Sequence, residues 1–349
     1  MLAGSVANPP TIGTIVTLGF GLLSAQRSPR DSRTWEDVYR ETIDLTIHLE
    51  SLGYDSVWTT EHHFVDDGYM PSLLVMSAAL AAATTTITIG TGVLLAPLHE
   101  PIRIAEDAAT VQAISGGRLI LGLGLGWSST EYEAFGVNMN KRGAAMTEIL
   151  QFLPKAWTGE PFTWNGTVYS YPEIAVRPAP STRIPLIVGG SVDAAVRRAA
   201  RYAGGFFSNA SPTRLVEQIR AAHDEMDKIG RDPESFRWIY YGVMYPGPPD
   251  EIVESLWHQL WKYSDMEAST TRTGIAPTAP LDDDTRAKVE QRIIGGSSEE
   301  IIDTLSTIRE LAGVPIEWVA RSHFSDLGYD RQVGIAEQLA TEVMPHIPG

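Results

Sequence analysis

The chain of 349 residues contains no cysteine. That absence removes disulfide frameworks, thiolate zinc sites, iron–sulfur clusters and cysteine nucleophiles together. Positive charge is also scarce: 27 Lys and Arg stand against 43 Asp and Glu, a formal net charge of −16. Such a surface disfavours nucleic acid and anionic membranes as partners. Long apolar runs are missing as well. The longest, "LLVMSAALAAA" from Leu73 to Ala83, is too short to span a bilayer. The opening "MLAGSVANPP" has neither a basic region nor an apolar core, so no secretory signal is expected. A soluble, cytoplasmic protein is the expectation. Hydrophobic residues make up 43% of the chain, enough to bury a large core.

What the sequence does have is rhythm. Eight short runs read as strands: "TIGTIVTLGF", "YDSVWTT", "TITIGTGVLL", "GRLILGLGLG", "IPLIVGG", "GGFFSN", "SFRWIYYGVMY" and "PIEWVARSHF". Segments of helical period follow them. Gly53 is expected to stop the first helix and Pro71 to lie in the first turn of the second. Ser297 with Glu300 reads as a capping box. Eight alternating units predict an α/β fold, a (β/α)8 TIM barrel. A doubly wound sheet, the alternative, has roughly five to seven strands. Two stretches break the rhythm and read as insertions after strands 4 and 7. "GEPFTWNGTVYSYPEIAVRPAPSTR" holds an Asn-Gly pair and reads as a hairpin and loop. Residues 263–284 read as a long mobile loop. With no repeat and no linker in view, residues 1–349 are expected to form one domain.

In such a barrel, sites lie at the C-terminal ends of strands. "EHHF", Glu61 to Phe64, falls just past strand 2. Adjacent residues of extended chain point to opposite faces, so at most one of His62 and His63 faces the lumen. Paired metal ligands on a strand want His-x-His, so no metal is expected. A single imidazole suits proton transfer or hydrogen bonding to a cofactor. For an isolated pair, histidines that merely pack or cap the loop are the commoner outcome.

"LGLGLGW" places glycines at 122, 124 and 126. It ends strand 4 and lacks the Gly-x-Gly-x-x-Gly spacing, so a dinucleotide fingerprint fails. Glycine at every second position strips one strand face, either for a flat ring or for tight packing at the rim. "VGGSVDAA" joins a strand end to a helix start, where backbone N–H groups and Ser191 suit a phosphate; otherwise Ser191 only caps the helix. Gly92 ends strand 3, with His99 and Glu100 at the rim. Arg103, Glu106 and Asp107 read as a surface ion-pair network.

Taken in order, these stretches resemble the bacterial luciferase-like monooxygenase family. The resemblance runs through "EHHF", "GTGVLLAPLHEPIRIAEDAATVQAISGGRLILGLGLGW", "EAFGV", "AWTGEPFTWNG", "PLIVGGS" and "EVMPHI". It covers nearly the whole chain. It implies a barrel that binds reduced FMN, or alternatively the deazaflavin coenzyme F-420, at its C-terminal face. By resemblance, His62 matches the histidine that serves as catalytic base, and His63 its neighbour. Gly92–Val93 falls where the family has a non-proline cis peptide beside the isoalloxazine ring. Gly190 and Ser191 fall on the phosphate loop; Gly122, Gly124 and Leu125 fall on the rim near the cofactor. Luciferase has a phosphate-binding arginine where this chain has Leu125. The phosphate is therefore expected to lean on Gly190 and Ser191, or on Arg177 or Arg321.

The implied function is a flavin-dependent monooxygenase. A separate flavin reductase delivers reduced FMN, which reacts with O2 through a flavin C4a-peroxide to oxygenate a small-molecule substrate while His62 shuttles the proton. The alternatives are a deazaflavin oxidoreductase that transfers hydride, and a non-catalytic flavin-binding protein. "EHHF" favours FMN. The resemblance also implies a homodimer through helices 2 and 3, where the Ala-rich "MSAALAAAT" permits close approach. Aromatics at Phe162, Trp164, Tyr169, Tyr171, Trp238, Tyr240 and Tyr241 either line the substrate pocket or belong to the core.

Overall fold

Eight parallel strands close on themselves. They are β1 (Leu18–Leu23), β2 (Ser56–Thr59), β3 (Thr88–Thr91), β4 (Leu119–Gly124), β5 (Leu186–Gly189), β6 (Gly205–Ser208), β7 (Arg237–Tyr245) and β8 (Glu317–Arg321). Each pairs with the next, and β8 pairs back with β1, Leu18 opposite Trp318 and Gly21 opposite Arg321. This is the expected TIM barrel. A computed structural model describes residues 18–28, 31–264 and 281–347.

Strand alternation sorts the core into two parts. One residue from each of seven strands meets in the lumen: Leu22, Trp58, Ile120, Ile187, Phe207, Ile239 and Val319. Their neighbours, such as Leu119, Leu121, Trp318 and Ala320, face the surrounding helices. The eighth strand, β3, offers Gly90 instead, and a Cβ there would overlap the Trp58 indole. Trp58 stacks on Phe207 at 4.8 Å, and Phe207 on Tyr241 at 4.5 Å. The three rings form an aromatic layer across the lumen.

Helices follow the strands: α1 (Trp35–Ser51), α2 (Leu73–Ala83), α3 (Pro101–Ile114), the short α4 (Ser129–Ala134), α5 (Arg142–Ala156), α6 (Asp193–Tyr202), α7 (Pro212–Ile229), α8 (Val253–Ser264), α9 (Asp283–Glu290), α10 (Ser298–Ala312) and α11 (Tyr329–Gln338). Gly53 follows the end of α1 at φ +86°, and the Ser297–Glu300 capping box opens α10. Pro71 differs from expectation: α2 starts at Leu73 with Ser72 before it. The first turn waits for a side chain that the core buries, and Leu73 is that residue. Among the described residues, no helix is long and apolar enough to cross a membrane.

The hairpin is present. Phe162–Asn165 pairs antiparallel with Ser170–Ile174 between α5 and β5. Glu148 of α5 anchors its tip by accepting the backbone N–H groups of Thr167, Val168 and Tyr169. Its aromatics pack on Phe152 and serve the core. The loop expected at 263–284 is helical at both ends: Tyr263 and Ser264 finish α8, while Asp283 and Asp284 begin α9 behind the cap Asp282. Apolar spacing at Val253, Leu256 and Leu260 drives α8 against the core. Residues 265–280 lie outside the described residues, as do 11–17 of the first expected strand.

The glycine row of β4 makes a strong prediction. A Cβ on Gly122 would overlap the Thr91 carbonyl oxygen, and one on Gly124 would overlap the Val93 side chain. Gly122→Ala is expected to cost at least about 1–3 kcal/mol, because backbone cannot step aside cheaply. A urea melt checks this: the midpoint falls at unchanged slope.

Candidate active site

The chain leaves β2 at Thr59 and runs across the barrel mouth. Backbone bonds pin it there, His62 N–H to Met70 O and Met70 N–H to Ser24 O. Glu61, His62 and His63 are all buried. The two imidazoles part company, as alternation requires. The His62 ring lies edge-on to Tyr69 at 4.9 Å and near Trp127 at 5.8 Å. The His63 ring turns to Phe135 at 4.8 Å, at the rim.

Each histidine has its own carboxylate. His62 Nδ1 stands 2.9 Å from Glu131 Oε1, and the same oxygen accepts the backbone N–H of His63 at 2.8 Å. A carboxylate only accepts, so Nδ1 carries the proton and Nε2 is left as the basic nitrogen. Glu131 was not among the residues expected from the sequence. It sits in the single-turn α4, where Ser128 caps its N–H, and its other oxygen has no hydrogen-bond partner among the described residues.

Glu61 forms the second hub. Its Oε1 accepts from His63 Nε2 at 3.0 Å and His99 Nε2 at 2.7 Å, and its Oε2 from the Leu95 N–H at 2.6 Å. Burial alone would raise this carboxyl, but those hydrogen bonds outweigh it and hold its pKa at about 2. Burial likewise opposes ionisation of His99, yet the bond to Glu61 raises its pKa above 6.5. The ligand-type atoms of Glu61, His63 and His99 lie within 4.8 Å of one another, a grouping that could hold a metal ion. In this geometry hydrogen bonds satisfy all three.

The remaining expected residues fall around the same mouth. The Gly92–Val93 peptide is cis. Val93 packs against the lumen cluster, and its side chain occupies the space that Cβ atoms on Gly124 and Gly189 would take. The glycines of β4 therefore admit the chain's own Thr91 and Val93. Leu125 packs on the core and its carbonyl accepts the Tyr132 hydroxyl. Gly190 and Ser191 are exposed at the end of β5. Ser191 does not cap α6: the cap position is Val192, which offers no side-chain acceptor. The N-terminus of α6 thus has no side-chain cap. Arg214, at the start of α7, donates to the Ser191 carbonyl at 3.2 Å and pairs with Asp193 at 2.5 Å. No sequence signal tied Arg214 to this loop. Arg177 is elsewhere: it donates to the Gly159 carbonyl just past the end of α5, and such a helix end returns to the opposite face of a barrel. Arg321 ends β8 at the mouth.

The model of the luciferase-like monooxygenase family matches residues 18–314. An F420-dependent glucose-6-phosphate dehydrogenase of Microbacterium testaceum is 31% identical over 201 residues, 55% of this chain and 60% of that protein. The oxygenase component of the flavin-dependent trigonelline monooxygenase of Acinetobacter baylyi is 31% identical over 163 residues, 46% of this chain and 45% of that protein. The chain thus spans less than two thirds of either relative. Among solved structures, the monooxygenase RslO1 of Streptomyces bottropensis superposes with a TM-score of 0.79 at 21% identity, covering 95% of this chain and 99% of that one.

Proposed function

Because the chain belongs to the luciferase-like monooxygenase family, we propose that it is a flavin-dependent monooxygenase that takes reduced FMN from a separate reductase. The observation that carries the reading is the buried His62–Glu131 pair at the end of β2. Two features fit a flavin. The α6 N-terminus, beside Gly190, Ser191 and Arg214, has no side-chain cap, as a phosphate seat on a helix end requires, and Arg214, though paired with Asp193 and Glu217, stands next to it. The mouth beside Gly92–Val93, lined by Val93 and the aromatic layer, offers a flat apolar bed for a ring system. When bound, reduced flavin would supply the electrons and activate O2.

The chain's own residues do the rest. Glu131 holds the His62 ring so that Nε2 can take and return a proton. Trp58, Phe207 and Tyr241 keep water from the floor of the mouth. His63 and His99, bound to Glu61, hold the loop that carries His62. A homodimer through α2 belongs to the same reading, since Val75 on that helix leaves 74% of its surface exposed.

A second reading, hydride transfer with coenzyme F-420, is favoured by the relative of Microbacterium testaceum. Anaerobic titration with reduced FMN and with reduced coenzyme F-420, followed by an oxygen pulse, separates the two. Tighter FMN binding and protein-dependent slowing of reoxidation support the monooxygenase. Tighter coenzyme F-420 binding with no effect on oxygen reactivity moves the chain to the second reading, and binding of neither overturns both.

A further inference from the structure

Among the described residues, one buried charge at the mouth has no ion-pair partner. On β8, Trp318 and Ala320 face the helices and Val319 the lumen, so alternation turns Arg321 inward. Arg321 is only 8% exposed, and its Nε is buried without a hydrogen-bond partner. Among the described residues it has no carboxylate in ion-pair reach, whereas Arg33, Arg237 and Arg331 each have one. Buried guanidinium groups are ordinarily paired, and an unpaired one calls for a reason.

Its surroundings suggest that reason. On the neighbouring strand, Tyr241 also points inward, stacked on Phe207. Burial pushes the Tyr241 phenol up to about 12, with Arg321 opposing the rise and Tyr69 adding to it. Tyr69 in turn touches the His62 ring. On the other side, Arg321 lies opposite Gly21 of β1, where the closely approaching Trp58 backbone of β2 takes the place of a side chain and leads on to the loop with His62. The loop with Ser191 and Arg214 follows β5, three strands away. A group held by Arg321 would therefore lie over the aromatic layer, on the His62 side and away from the α6 N-terminus.

We propose that Arg321 recognises an anionic group of the substrate, a carboxylate or sulfonate, and so turns the substrate's reacting end toward His62. The planar fork of a guanidinium matches such a group with two parallel hydrogen bonds. This rests on the flavin reading above, in which the cofactor phosphate is held at α6.

Benzoate and its neutral analogue benzamide test it, titrated into the purified protein by calorimetry, with FMN and coenzyme F-420 titrated separately. Benzoate is expected to bind roughly tenfold or more tightly than benzamide. Arg321→Gln is expected to abolish the preference and Arg321→Lys to keep part of it, both with flavin affinity unchanged. Equal binding of the two probes by the unaltered protein overturns the proposal without recourse to any variant. So does a preference that survives in Arg321→Gln, or a variant that loses flavin affinity in place of benzoate affinity, since the arginine then serves the cofactor. Benzoate preference in a protein that binds neither flavin leaves the anion site standing and removes the flavin reading.

Discussion

Turnover by His62→Ala is expected to fall by about two to four orders of magnitude, the range for losing a positioned acid–base group. Flavin affinity should change little, because the residues proposed to hold the phosphate follow β5 and lie on α6 and α7. The same variant should also lose some stability, because it leaves buried Glu131 with only the His63 N–H as a partner among the described residues, but the Glu61 hub should persist. Glu61, His63 and His99 remain bonded to one another without the His62 ring. Glu131→Gln is the companion measurement. With its carbonyl at the Oε1 position a glutamine still accepts from both His62 Nδ1 and the His63 N–H, but it removes the negative charge that favours the imidazolium. Rate against pH should then change shape, with some activity retained. If His62→Ala loses flavin affinity and rate in equal measure, His62 holds the cofactor and is not the base. If Glu131→Gln leaves the pH profile unmoved, the carboxylate only caps the loop.

Much of this arrangement was legible in the order of residues. Eight β-branched runs at regular spacing allow few folds other than a barrel, and barrel geometry places "EHHF" at the mouth before any coordinate is known. The Asn-Gly pair at 165–166 marks the place of a hairpin, although Asn165 ends a strand opposite Ser170, the connection runs through 166–169 and neither residue of the pair takes a positive φ. Glu131 was hidden for a physical reason. It approaches His62 across 69 residues of chain, from a single turn of helix too short to show a period. Arg214 was hidden in the same way, since a long side chain from the next helix can reach a loop that its own sequence position does not suggest. The glycines at 122 and 124 were ambiguous because an absent side chain records an approach without naming what approaches. Here the occupants are Thr91 and Val93.

Glu61 carries the largest expected effect on stability. Three N–H donors converge on its two oxygens in a setting that water does not reach. Glu61→Gln keeps the shape but has one acceptor oxygen in place of two, so its amide N–H₂ must face either the Leu95 N–H or the two imidazoles. A buried group left opposing its partners costs on the order of 3 kcal/mol, read as a lower urea midpoint near neutral pH. The gap between the two proteins should itself depend on pH. The Glu61 carboxyl is depressed from 4.5 to about 2, so its contribution is complete above about 4.5 and is lost as pH falls toward 2. His99 is raised above 6.5, so its share is complete below 6.5 and is lost as pH rises through that raised value. The gap should therefore be widest between these limits and shrink on both sides. A gap that stays flat from pH 3 to pH 9 would mean that the cluster is held by shape alone. The two histidines of "EHHF" would then be packing residues in one case and a base in the other, with no shared electrostatic frame.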